Sequence, residues 1–213
     1  MNSTAAHSPG RTRPRPAVPF FYLRHGTTDH NFRRLITGQL DIPLNAWGRT
    51  QAAQAARHLT GCGIERIVSS PLRRALETAQ IVASVLELAV ETLPSLSERN
   101  WGALSGRSLR ELPRRGFLPE GVEPLEQFSA RTLDAVLPLL HGPRFLLVGH
   151  SGHCRVLRRA LLAGHDGEGA VPNGVPLHYV PQDGGNWQEN LPDGVETSSA
   201  PHWPPRRMVA GPL

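Results

Sequence analysis

The chain has 213 residues, 39% of them hydrophobic and 19% charged, which suits one α/β domain or a small pair with a sizeable buried core. No apolar run approaches the ~20 residues that cross a bilayer, and no apolar signal core follows the N-terminus, so neither membrane insertion nor secretion is expected. The formal charge of +5 drops to +2 without Arg11, Arg13 and Arg15, and the sequence contains Arg but no Lys; both features argue against a surface selected for nucleic acid.

Residues 1–17 are Arg-rich, acid-free and interrupted by Pro9, Pro14 and Pro16, and are expected to form a disordered tail. Val18 to Leu23 reads as a short apolar strand of a buried parallel sheet. From Trp47 to Leu59, Trp47, Ala52, Ala55, Ala56 and Leu59 recur at helical spacing, and Gly61 and Gly63 stop the helix. Ile64 to Val68 is a second strand. Ser70-Pro71 then predicts a helix with Ser at the N-cap and Pro first, its inner face formed by Leu72, Ala75, Leu76, Ala79, Val82 and Leu86. Ala89 to Leu93 is a weaker strand, and Leu96 to Phe117 is loop-like with a turn of helix near Leu109. A helix from Pro124 to Leu140 follows, frayed by Pro138. Phe145 to Val148 is a strand, Gly152 to Leu162 a helix, and Val175 to Val180 a last strand at the sheet edge. Strand and helix alternate, so the expected class is α/β with a mainly parallel sheet. The domain is expected over 18–182, with 183–213 a partly ordered tail.

Two strands end alike: Phe20-Phe21-Tyr22-Leu23 runs into Arg24-His25-Gly26, and Phe145-Leu146-Leu147-Val148 runs into Gly149-His150-Ser151-Gly152. A polar residue beside Gly at a strand end is delivered to the carboxyl edge of the sheet, where open α/β sheets bind ligands. Arg73 and Arg74 fall in the first turn of the second helix, where the dipole disfavours a cation by roughly 0.3–1 kcal/mol. Glu77 offers Arg73 an ordinary partner. A bound anion explains the pair better, because Arg forks and helix N-termini both match phosphate oxygens. Spacing alone does not choose between the two arginines. A phosphate pocket also needs a nucleophile and an acid for the leaving oxygen. A neutral imidazole at His25 meets the first need. Arg24, a helix arginine and His150 would supply charge. Glu98, in the loop beside Trp101, meets the need for an acid, with the indole reducing its hydration.

These segments resemble the histidine phosphatase superfamily, the phosphoglycerate mutase-like group. The match begins with Arg24-His25-Gly26 and continues through Asn31, Thr37-Gly38, Asp41-Ile42-Pro43-Leu44, Ser69-Ser70-Pro71-Leu72-Arg73-Arg74-Ala75 and Thr78-Ala79. It ends with Leu96-Ser97-Glu98-Arg99, Gly102, Gly106 and Val148-Gly149-His150, covering about Pro19 to Tyr179. The resemblance implies a three-layer αβα sandwich that needs no metal or other cofactor. It further implies that His25 is the phosphorylated histidine, His150 the second pocket histidine and Glu98 the proton donor. Arg24, Asn31 and Arg74 would hold the phosphate, with Thr37, Gly38 and Ser151 as further substrate contacts. Thr27 stands where Glu is common, and Ser151 and His153 occupy a stretch that is often Gly and small. Trp101 replaces a mutase tyrosine and the segment 107–123 lacks the mutase insertion, so a phosphatase of a small phosphorylated metabolite is favoured over a mutase.

Other classes fit less well. Gly149-His150-Ser151-Gly152-His153 is similar to a serine-hydrolase elbow but lacks the final Gly. His153-Cys154 fails as a cysteine phosphatase loop, because Ala160 stands where its Arg belongs. A metal site built from His25, His30, His150 and His153 lacks clustered carboxylates. A binding module of the same fold that holds a phosphorylated ligand without turnover is disfavoured by the intact set His25, Arg74, Glu98 and His150. Cys62 and Cys154 make no metal-type pair, and a reducing, cytoplasmic setting is expected. Arg99, Arg107, Arg110, Arg114 and Arg115 hint at a second anionic group on the substrate. The sequence carries no signal for oligomeric state.

Overall fold

The computed structural model describes residues 16–112, 119–169 and 171–195. Most of the expected N-terminal tail, Arg114, Arg115 and the end of the C-terminal segment lie outside the described residues. The elements are β1 (Phe20–Arg24), α1 (Asp29–Arg33), α2 (Ala46–Leu59), β2 (Arg66–Ser69), α3 (Arg73–Leu86), β3 (Val90–Thr92), α4 (Leu125–Val136), β4 (Phe145–Gly149), α5 (Ser151–Leu161), β5 (Pro176–Pro181) and β6 (Trp187–Asn190). They form one six-stranded sheet in the order β3-β2-β4-β1-β5-β6. The first four of these strands are parallel, and β5 and β6 are antiparallel.

The strands read as continuous apolar runs because both sheet faces are covered, and side chains alternate between two cores. Phe20, Tyr22, Phe145 and Leu147 point to the side closed by Val136, Cys154 and Leu157 from α4 and α5. Phe21, Leu23, Leu146 and Val148 point to the side closed by Ala55, Ala56, Ala75, Ala79 and Val82 from α2 and α3. The small residues on α2 and α3 let the two helices lie close on the sheet. The result is a three-layer αβα sandwich, as expected. The Phe20 ring stacks between Phe145 and Tyr179, with centroids 5.0 and 4.8 Å away. Burying each such side chain stabilises the fold by about 1.5–3 kcal/mol.

Three expectations about elements are corrected. First, α3 begins at Arg73, with Leu72 at the N-cap, rather than at Ser70-Pro71. The Ser70 hydroxyl meets His150 and accepts from the Leu72 amide at 3.3 Å, ahead of the helix, while the Asp41 carboxylate accepts from the Arg73 amide at 2.6 Å, so the first helical amide is capped from a distant loop. Second, α4 stops at Val136 and continues to His141 as a 3-10 turn, because Pro138 cannot donate to the helical ladder. Third, β5 is not an edge strand. β6 pairs with it from His178–Asn190 to Pro181–Trp187, carrying the sheet past residue 182. Arg158 of α5 ties β6 down through a double contact with Glu189, at 2.8 and 2.7 Å. Such tertiary anchoring leaves no local pattern.

Candidate active site

β1 and β4 are neighbours, with Arg24 opposite Gly149, so the next residues, His25 and His150, leave the sheet side by side. The His25 amide donates to the Gly149 carbonyl at 2.9 Å. The two rings lie 5.2 Å apart between centroids, at 61°. On the other flank of β4, β2 delivers Ser70, whose Oγ lies 2.8 Å from His150 Nε2.

The His25 ring is buried, and its Nδ1 lies 2.7 Å from the Gly26 carbonyl. A carbonyl only accepts, so Nδ1 carries the proton and Nε2 keeps a lone pair. Arg74 Nε donates to that Nε2 at 3.3 Å. Burial first, and then the Arg74 and Arg24 charges, hold the His25 pKa well below 6.5, so the ring is neutral at pH 7. Arg74 is itself buried. Its Nη1 and Nη2 donate to the carbonyls of Leu40 and Gly38, each at 2.8 Å. Burial lowers its pKa to about 10, and it remains a cation. Arg73 turns outward to Glu77 at 2.8 Å, so Arg74 is the helix arginine that reaches the histidine.

Arg24 Nη1 donates to the Val171 carbonyl at 2.6 Å, while its buried Nε has no hydrogen-bond partner among the described residues. Asn31 Oδ1 accepts from both the amide and the hydroxyl of Thr28 at 3.0 Å, which leaves its Nδ2 for the cavity. Glu98 is 9% exposed. One carboxylate oxygen accepts from the Arg99 amide at 2.8 Å and the other from the Gly152 amide at 3.2 Å. Gly152 is required there, since a Cβ at that position would stand 2.3 Å from Glu98 Oε1.

A cavity of about 510 Å³ brings these groups together. Arg24, His25, Asn31, Arg74, Glu98 and Ser151 line it, and Thr37 and Gly38 form part of its wall. His150 does not line it and sits behind the His25 ring, 1% exposed. Burial and the neighbouring Arg74 push its pKa well below 6.5, so His150 brings a neutral hydrogen-bonding ring and not the charge expected of it. Among the described residues no group of three or more His, Cys, Asp and Glu is placed to hold a metal ion.

Of the arginines read as a second anion site, the described ones, Arg99, Arg107 and Arg110, do not converge on one place. Arg107 pairs with Glu111 at 3.2 Å, and Arg110 lies with Arg33 and Arg34 around a separate hollow. Arg34, Arg155 and Asn173 do line the main cavity and were missed by sequence reasoning. Asn173 Nδ2 donates to the His25 carbonyl at 2.8 Å. Its loop before β5 has no strand-end signature, and Arg155 is indistinguishable by pattern from the other arginines of α5.

Residues 20–173 match the model of the histidine phosphatase superfamily, branch 1. A Bacillus subtilis protein described as the uncharacterized phosphatase PhoE is 30% identical over 67% of this chain and 76% of its own length. The probable phosphoglycerate mutase GpmB of Yersinia enterocolitica is 37% identical over 61% of this chain and 68% of its own. A mycobacterial glucosyl-3-phosphoglycerate phosphatase, solved in complex with VO3, superposes with a TM-score of 0.73 at 28% identity, covering 82% of this chain and 98% of that one. Among the described residues no helix is long and apolar enough to cross a membrane. With the family model matched from β1 to the loop before β5 and the paired strand-end histidines in place, the chain belongs to branch 1 of the histidine phosphatase superfamily and is an enzyme of the histidine phosphatase type.

Proposed function

We propose that the chain hydrolyses a small phosphomonoester through a phosphohistidine at His25. The observation that carries this reading is the tautomer of His25. Its Nδ1 proton is committed to the Gly26 carbonyl, and its Nε2 lone pair is held beside Arg74 at the cavity. A neutral imidazole so placed is a nucleophile at pH 7. Nε2 attacks phosphorus as the ester P–O bond breaks, and Glu98 gives a proton to the departing alkoxide. Water then attacks the phosphorus, Glu98 takes its proton, and the P–N bond breaks to release phosphate and the neutral ring. The equatorial oxygens, which carry the charge of the transition state, are met by Arg74, by Asn31 Nδ2 and by Arg24, whose buried Nε lacks a protein acceptor. His150, fixed through Ser70, adds a neutral donor behind the ring. Thr37, Gly38 and Ser151 shape the wall against which the substrate lies.

The relatives include a protein named as a probable mutase, and a phosphohistidine serves either outcome. Hydrolysis is favoured because Trp101 stands where a mutase has tyrosine and the 107–123 segment is short. The test is rapid quench with a phosphorylated substrate. An acid-labile, base-stable phosphoryl adduct should form in the wild type and be absent in His25→Ala, which should show no turnover. Release of inorganic phosphate that is independent of 2,3-bisphosphoglycerate marks a hydrolase. Isomerisation with no net phosphate release would overturn that reading. Retained turnover in His25→Ala would overturn the phosphohistidine.

A further inference from the structure

We propose that the alcohol portion of the substrate occupies a second cavity on the far side of Glu98, and that the substrate is the phosphomonoester of an alcohol with an apolar body and a carboxylate. This rests on the hydrolase reading above. The second cavity, of about 250 Å³, shares Glu98, Trp101, Leu112, Ser151 and Arg155 with the first. Glu98 therefore stands on the boundary between them. If it protonates the leaving oxygen, that oxygen lies against its carboxyl group. The phosphoryl side of that oxygen is taken by His25, Arg74 and Asn31. The carbon side then points past Glu98, where the second cavity opens.

The walls proper to this second cavity include Leu125, Phe128 and Val156, continuing the apolar surface of Leu112 and Trp101. Arg99, Arg159 and Glu168 stand at its rim, but a polyol laid on the Leu125, Phe128 and Val156 part of the wall would give up water for carbon, since those three side chains offer its hydroxyls no donor or acceptor. An apolar ring fits, because a cavity of about 150 Å³ is enough for benzene. The charge comes from Arg155, which lines both cavities and is exposed, and whose side chain makes no ion pair or hydrogen bond with a described residue. The other two arginines at this cavity are engaged. Arg99 lies over the Trp101 ring with Nε on the Glu123 carbonyl, and Arg159 is held by the Asp166 carbonyl and Glu168. Arg155 is therefore the cation left for a carboxylate on the alcohol.

The test compares ethyl, benzyl and 4-carboxybenzyl phosphate, three primary esters with similarly basic leaving groups. In the wild type, kcat/KM should rise about tenfold or more from ethyl to benzyl, the range that a fitted apolar pocket gives. It should rise about threefold again with the carboxylate, as a solvent-accessible ion pair allows. Arg155→Gln should abolish the last step and keep the benzyl preference. Leu125→Trp, which fills the cavity, should bring the benzyl-to-ethyl ratio toward one. Three equal kcat/KM values in the wild type overturn the proposal without recourse to any variant. A benzyl preference with no gain from the carboxylate overturns the assignment of Arg155. If none of the esters is hydrolysed and no adduct forms on His25, the hydrolase reading falls, and this inference falls with it.

Discussion

Gly152 offers a sharp perturbation of the proposed acid, because its replacement touches Glu98 and leaves the phosphate-binding groups alone. Gly152 is the second residue of α5, and its amide donates to Glu98 Oε2 at 3.2 Å. In Gly152→Ala the added methyl would lie 2.3 Å from Glu98 Oε1 and 2.9 Å from Phe128 Cε1, where ordinary contact begins at 3.4 Å. The Phe128 ring is 1% exposed and stacked on His153, so it yields little. The carboxyl group, facing the cavity, must retreat by about 1 Å, a displacement that costs on the order of 100-fold when a reacting group is misplaced. Overpacking costs about 1–3 kcal/mol, and the better helix propensity of Ala returns about 1 kcal/mol, so the net loss is about 0–2 kcal/mol and the melting temperature should fall by no more than about 8 °C. Steady-state assays would compare ethyl phosphate with p-nitrophenyl phosphate. The alkyl ester needs protonation of its leaving group and should lose about 100-fold in kcat. The aryl ester, whose leaving group departs as a stable anion, should lose less than about tenfold. Inhibition by inorganic phosphate should be unchanged. Equal losses for the two esters, or no loss in a correctly folded variant, would refute the placement of Glu98 at the leaving oxygen.

Three other expectations follow from the same geometry. Arg74→Gln removes the donors that Leu40 and Gly38 carbonyls rely on, and should destabilise the fold by roughly 2–4 kcal/mol. It should also move the acid limb of kcat/KM upward from its wild-type place below pH 6.5, since the Arg74 cation is, after burial, the largest cause of the lowered His25 pKa; a limb that stays put refutes this coupling. Burial holds His153 at about 4, below its unfolded value, so the unfolded chain takes up the proton first as pH drops. That one group should cost about 2 kcal/mol of stability between pH 7 and pH 5, and denaturant midpoints that do not fall over this range would contradict it. Glu189→Ala removes the double contact to Arg158 and the acceptor of the Tyr179 hydroxyl at 2.5 Å. Urea unfolding should show a loss of about 3 kcal/mol with kcat/KM unchanged well below the melting point, and a loss under about 0.5 kcal/mol would show that β6 is held otherwise.

The parts of the site legible in the sequence are those whose position follows from a strand end. His25 and His150 each end an apolar run, so period and punctuation alone place them at the carboxyl edge. Glu98 is only weakly marked in the sequence, by its place in a loop beside Trp101 and then by the resemblance, because a loop carboxylate has no periodicity. What holds it in place is the amide of Gly152, 54 residues further on. The choice of Arg74 over Arg73 was equally non-local. It depends on Asp41 capping the helix and Glu77 drawing Arg73 outward.

From the residues in order, one can deduce the alternation of strand and helix, the two buried faces and the paired histidines, because hydrophobic period and glycine punctuation act over a few neighbours. Only the packed molecule decides the register that sets Arg24 beside Gly149, the neutral state of the histidines, the sixth strand and the second cavity beyond Glu98. Those features arise from contacts between residues distant in the chain and from the exclusion of water around them. Neither exists until the layers close.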